Sequence, residues 1–135
     1  MKAPVWVDER DALAIHDRML TLHGGGTGVH DAGLLQSALA RAQQHFAYAE
    51  TADIIALAAI YTAGIARNRP FADGNKRTGF VVGVLFLELN GFRFQASEEA
   101  AARAVLALAA RKIDEGEYRE VLRANAVAVR RKGSK

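Results

Sequence analysis

Two apolar stretches, Ile54 to Ala66 and Gly79 to Leu89, flank the polar segment Asn68-Arg69-Pro70-Phe71-Ala72-Asp73-Gly74-Asn75-Lys76-Arg77-Thr78. Ile54, Ile55, Leu57, Ile60, Tyr61 and Ile65 make the first apolar on nearly every face, and Val81, Val82, Val84, Leu85, Phe86, Leu87 and Leu89 do the same for the second. Helices of that kind are buried among other elements. The two stretches therefore predict a central helix pair with the polar segment at its mouth, and charged groups placed that close to a core need a chemical reason.

The rest of the chain supplies the cover. Val7 to Leu22 sets Leu13, Ile15, Met19, Leu20 and Leu22 among Asp8, Glu9, Arg10, Asp11, Asp17 and Arg18. This is an amphipathic helix with acids at its positive end, stopped by Gly24-Gly25-Gly26. Asp31 is a candidate N-cap for a helix that buries Leu34, Leu35, Ala38 and Leu39 and fades near Gln43 or Gln44. His45 to Glu50 alternates aromatic and small residues, a pattern for a short strand or flap or an irregular loop, with core packing of Phe46 and Tyr48 favoured over an exposed apolar groove for a partner. The first central helix starts near Thr51 or Asp53 and runs to Asn68, and the second stops at Asn90-Gly91. Phe92 to Gln95 predicts a short strand, Ser97 caps a helix through Lys112, and Asp114 to Glu117 resembles a capping box for a last helix through about Val129. The expectation is all-α, a bundle of about six helices around two central ones with room for one short strand or flap.

One domain accounts for all 135 residues, a length that buries roughly two thirds of the unfolded surface. The absence of cysteine excludes disulfides and thiolate metal sites. With no signal-peptide core and no apolar run long enough for a bilayer, a cytoplasmic protein without membrane contact is expected. The formal charge of +3 owes much to Arg130, Arg131, Lys132 and Lys135, a basic tail read as a solvated terminus rather than a nucleic-acid contact. His23-Gly24-Gly25-Gly26 looks like the oxyanion loop of some lipases, but Ser37, Ser97 and Ser134 lack the flanking glycines of a nucleophile elbow. His16 and His23 lie seven apart without an evident third ligand, and are expected at the surface without a metal.

The polar segment has anion chemistry. Asp73 to Arg77 stands at a helix start, where unpaired N–H groups and the positive end of the dipole attract anions. Gly74 allows close backbone approach, Asn75 can orient a phosphate oxygen, and Lys76 and Arg77 add positive charge. Asp73 would repel a phosphate unless it held a bridging magnesium ion, which points to nucleoside triphosphate chemistry. A Walker loop is excluded because Asn75 separates Gly74 from Lys76. The competing reading is an ordinary capped helix start with solvated cations.

The stretch Arg69 to Arg77 resembles the signature loop of the Fic superfamily, His-x-Phe-x-Asp-x-Asn-Lys-Arg, in its Doc branch, and fits it from Pro70 onward. Gly33-Leu34-Leu35 with Ser37-Ala38-Leu39-Ala40-Arg41 is similar to the segment that precedes that loop in the family, so the resemblance spans roughly Thr27 to Gly91. It implies an all-α fold and transfer of part of a nucleotide to a hydroxyl. Members that transfer AMP carry Gly where this chain has Lys76 and a second Arg where it has Phe80. The Doc branch implies instead an ATP-dependent, magnesium-dependent kinase of a threonine in elongation factor Tu. Such a toxin blocks translation and is neutralised by a Phd-like antitoxin, with nucleic acid reached only through that antitoxin. By this likeness Phe71 anchors the loop, Asp73 binds magnesium, and Asn75, Lys76 and Arg77 hold phosphates with help from the Gly74 backbone.

The departure is Arg69, which occupies the position of the general-base histidine. A guanidinium with a pKa above about 12 accepts no proton at neutral pH, so a dead or severely slowed enzyme is expected. The intact remainder of the loop favours one selected or deliberate substitution in a toxic protein over long decay. Arg69 is also placed to form an ion pair with Asp73 and compete with the metal. A second enzymatic reading is AMP transfer. A third is a non-catalytic module that binds antitoxin or regulates an operon.

Overall fold

The computed structural model describes residues 3–49 and 52–129. The basic tail and the expected transition at residues 50 and 51 lie outside them. Six helices and a two-stranded antiparallel sheet are present among the described residues: α1 (Glu9–His23), α2 (Ala32–Tyr48), α3 (Ile54–Asn68), α4 (Asn75–Leu89), β1 (Phe92–Phe94), α5 (Glu98–Ala109), α6 (Glu115–Asn125) and β2 (Ala126–Ala128).

The apolar pair is central, as its composition predicts. α3 packs on α4, α2, α6 and α5, and α4 also receives α1 and β1. Every residue of α3 from Leu57 to Ala66 is buried. Small residues let α3 and α4 come close: a Cβ on Gly79 would lie 3.0 Å from the Thr62 carbonyl oxygen, and one on Gly83 would meet the Thr62 hydroxyl. That hydroxyl donates to the Gly79 carbonyl at 2.8 Å, tying the pair across the contact. No helix among the described residues is long and apolar enough to cross a membrane.

Helix starts follow the side chains. Asp8 and Asp11 form a reciprocal capping box on α1, Asp114 and Glu117 form one on α6, and Asp31 and Ser97 cap α2 and α5. Helix ends depart from expectation in three places. His45 to Tyr48 belongs to α2, because Leu35, Ala38, Leu39, Ala42 and Phe46 continue one helical face. Phe46 packs edge-on against Trp6, whereas Tyr48 projects outward and is 89% exposed, so only one of the two expected core aromatics is inside.

α5 ends at Ala109 rather than Lys112. Arg111 turns into the left-handed region at φ 61, and the Lys112 N–H donates to the Ala107 carbonyl at 2.9 Å, a Schellman-type closure without glycine. α6 stops at Asn125, and Ala126–Ala128 becomes β2 instead of helix. β1 would otherwise leave its ladder groups unpaired; Phe92, Arg93 and Phe94 pair with Ala128, Val127 and Ala126.

Candidate active site

The loop between α3 and α4 is held from three sides. Arg69 closes α3 in the left-handed conformation at φ 52, its N–H donating to the Ile65 carbonyl at 3.1 Å. The Pro70 carbonyl accepts from the N–H groups of His30 and Asp31 at 2.7 and 3.0 Å, and the Ala72 N–H donates to the Gly28 carbonyl at 3.2 Å. Phe71, only 2% exposed, lies face to face on His16 with ring centroids 3.8 Å apart. Buried Asn75 completes the hold: its Oδ1 accepts from the Phe71 N–H at 2.9 Å and its Nδ2 donates to the Phe71 carbonyl at 3.0 Å. Both ends of that amide serve the loop backbone, so in this conformation Asn75 shapes the loop.

His16 corrects the expectation of a surface histidine. It is 2% exposed, and its Nε2 lies 2.8 Å from the Asp73 carbonyl oxygen. A carbonyl only accepts, so Nε2 carries the proton and donates. His23, seven residues on, is exposed. The glycine run after α1 also takes part: the Gly26 N–H points to Asp73 Oδ2 at 3.4 Å, and a Cβ on Gly25 would stand 2.8 Å from that oxygen.

Asp73 is exposed, and its pKa is held below the usual carboxylate value by the Gly74 N–H first, then by the Gly26 N–H, with smaller long-range help from Arg77 and Arg69. The expected ion pair between Arg69 and Asp73 does not form among the described residues. The α3 cap fixes the Arg69 backbone, and Asp73 satisfies its oxygens on backbone N–H groups. Gly74 begins α4 at φ 78 with no side chain capping the helix. First-turn N–H groups therefore remain available beside Lys76 and Arg77, both exposed.

These groups form one end of a cleft of about 710 Å³. Its polar end is Arg69, Asp73, Gly74, Asn75, Lys76 and Arg77; its apolar wall comes from α4, β1 and α5 through Phe80, Val81, Val84, Phe94, Val105 and Leu106. Phe80 stands edge-on to Phe94 at 5.6 Å, so its ring belongs to the wall. The loop brings together every residue singled out from its sequence except that Phe71 lies beneath the surface. What the sequence reading missed, His16, Gly25 and Gly26, lies far away in the chain and contacts the loop only through the fold.

No group of three or more His, Cys, Asp or Glu side chains gathers among the described residues. Magnesium keeps several waters and is held by one or two carboxylates together with substrate phosphates. A single exposed, ionised Asp73 beside the uncapped first turn of α4 fits a metal brought by a nucleotide and does not make a site that would hold the ion alone.

Helical core, loop and cleft together define a Fic-type domain, and a sequence model of the Fic/DOC family matches residues 6–87. The chain belongs to the Fic/DOC family. It is similar to the protein kinase doc of Escherichia phage P1, 34% identical over 95 residues that cover 70% of this chain and 75% of that protein. The family match begins before α1 and so includes His16, beyond the Thr27 to Gly91 span of the motif resemblance.

Proposed function

We propose that this chain is the toxin of a type II toxin–antitoxin pair, built as a Doc-type protein phosphotransferase and impaired by Arg69. The carrying observation is the complete loop: Asp73 ionised, α4 uncapped, Lys76 and Arg77 beside its first turn, and an arginine at the family's base position. The apolar wall of the cleft suits a nucleobase and ribose, and the polar end suits the phosphates of ATP. Bound magnesium, held by Asp73 and the phosphates, would neutralise charge on the transferred group. Lys76, Arg77 and the α4 N–H groups would orient the phosphates.

In the reaction the acceptor oxygen forms a bond to the γ-phosphorus as the bond to the β,γ-bridging oxygen breaks and ADP departs. The acceptor proton must go to a base. Histidine at position 69 would accept it; the Arg69 guanidinium is already protonated and does not. A threonine of elongation factor Tu is the proposed acceptor, and a Phd-like antitoxin the proposed regulator, both by analogy with the Doc branch.

The test is Arg69→His. Radiolabelled ATP, magnesium and purified elongation factor Tu should give phosphate transfer raised by ~10²–10⁴-fold over the unaltered chain, and expression of the variant should arrest growth. An inactive, harmless revertant overturns the reading. Transfer of label from the α- but not the γ-phosphate would assign AMP transfer instead.

A further inference from the structure

A second cleft, about 660 Å³, shares Arg69 with the first and lies between the end of α3, the start of α4 and the last turns of α5. Six cationic side chains line it, Arg67, Arg69, Lys76, Arg103, Arg111 and Lys112, and no acidic one; the remainder is alanine and Leu106. Arg103 pairs with Glu99 one turn back at 2.7 Å, on an exposed face. Arg69, Lys76, Arg111 and Lys112 have no carboxylate within ion-pair distance among the described residues. Arg67 donates from Nη2 to the Ile113 carbonyl at 3.4 Å, while its Nε is buried without a partner.

A chain with a formal charge of only +3 thus concentrates cations around one concavity. Like charges held together repel, so the arrangement is one that an anionic ligand would relieve. Arg69, Lys76 and Leu106 line both clefts, which therefore adjoin at the transfer loop. A transfer reaction needs two ligands to meet there. The first cleft has the apolar wall that suits a nucleobase. The second has no aromatic side chain on which bases could stack, which argues against single-stranded nucleic acid. The acceptor named for the phage relative's class of enzyme is a protein. We infer that the cationic cleft docks an acidic segment of the acceptor polypeptide, so that hydroxyls flanked by Asp and Glu are selected. This rests on the phosphotransfer reading of the loop.

Binding is measured on the full chain without nucleotide, by fluorescence anisotropy. The probes are a threonine-containing peptide rich in Asp and Glu, its Asn/Gln counterpart, and an oligouridine of equal charge. The acidic peptide should bind, the neutral one should not, and added salt should weaken binding. The double variant Arg103→Glu with Lys112→Glu, both outside the loop, should lose about tenfold or more in affinity.

Circular dichroism checks its fold. If it does not fold, Lys112→Gln and Arg111→Asn, the latter compatible with a left-handed backbone, should each weaken binding about threefold. Equal binding of the neutral peptide, an affinity unchanged by these substitutions, or tighter binding of the RNA overturns the inference. The two readings fail separately. If Arg69→His gives transfer while charge reversal leaves peptide binding unchanged, docking alone is wrong. If no transfer appears but peptide binding follows the charges, the cleft remains an acidic-peptide site and the reaction is wrong.

Discussion

His16 and Asp73 show what a single residue adds to the loop. His16 stacks on Phe71 and donates to the Asp73 backbone, so it holds the anchoring residue and the metal-binding candidate with one ring. His16→Phe preserves a ring against Phe71 and removes the donor; urea unfolding should register a loss of ~0.5–1.5 kcal/mol. His16→Ala also leaves a cavity and should cost more. In the Arg69→His background, His16→Phe should lower transfer without raising KM for the acceptor, because it disturbs Asp73 rather than the second cleft. Asp73 itself has a lowered folded pKa. Its contribution to stability is therefore present above the unfolded carboxylate value and is lost as pH falls through the lower folded one. Asp73→Asn should be the less stable protein at neutral pH, and the difference should vanish in acid; a gap that persisted there would contradict the assignment. None of this was readable near His16, whose partners are far off in sequence. Asp73, Lys76 and Arg77 could be singled out because they sit in one contiguous stretch, and the structure lines one cleft with all three.

At the scale of elements, the pair α3 and α4 was legible because apolarity on all faces has one outcome, burial. The places where sequence and structure part are ends: α2 absorbs the expected flap, α5 closes on a left-handed Arg111 without the glycine that signals such turns, and α6 yields Ala126–Ala128 to β1. The strand β2 and the end of α2 answer to distant partners, β1 and Trp6, whereas α5 is closed by its own backbone at Arg111 and Lys112. The α3–α4 contact makes a sharper prediction. Gly83→Ala gains helix propensity of about 1 kcal/mol, but its methyl would collide with the Thr62 hydroxyl and approach the Ala58 carbonyl at 3.1 Å. Overpacking at a closed contact typically costs ~1–3 kcal/mol, so net destabilisation is expected. Thr62→Ala removes one side of the collision at the expense of its bond to Gly79. The double variant should be more stable than the sum of the single effects, a coupling that urea titrations of all four proteins would read directly.

For the molecule as a whole, the N-terminal segment links α3 to the far end of α4. The Tyr61 hydroxyl accepts from the Val7 N–H at 3.1 Å and donates to the Val7 carbonyl at 3.2 Å, Asn90 pairs with both backbone groups of Val5, and Trp6 stacks on Phe86. Across the core, the buried Tyr118 hydroxyl faces the Thr62 side chain without a well-formed hydrogen bond. Burial pushes both phenols up, each to about 12. An unfolded tyrosine ionises near pH 10, so between those values the unfolded state has already released protons that the folded state retains. Stability from these groups is therefore intact below about pH 10 and falls as pH rises through about 12. The two should separate on mutation. Tyr61→Phe loses the tether to Val7 and should destabilise at neutral pH by ~1–2 kcal/mol. Tyr118→Phe removes a hydroxyl with only a poorly formed contact to Thr62 and should cost less there than Tyr61→Phe. Both should flatten the alkaline decline of Tm, whereas Tyr48→Phe, at an exposed position, should leave it unchanged. An alkaline decline equally steep in all three variants would show that neither buried phenol governs it.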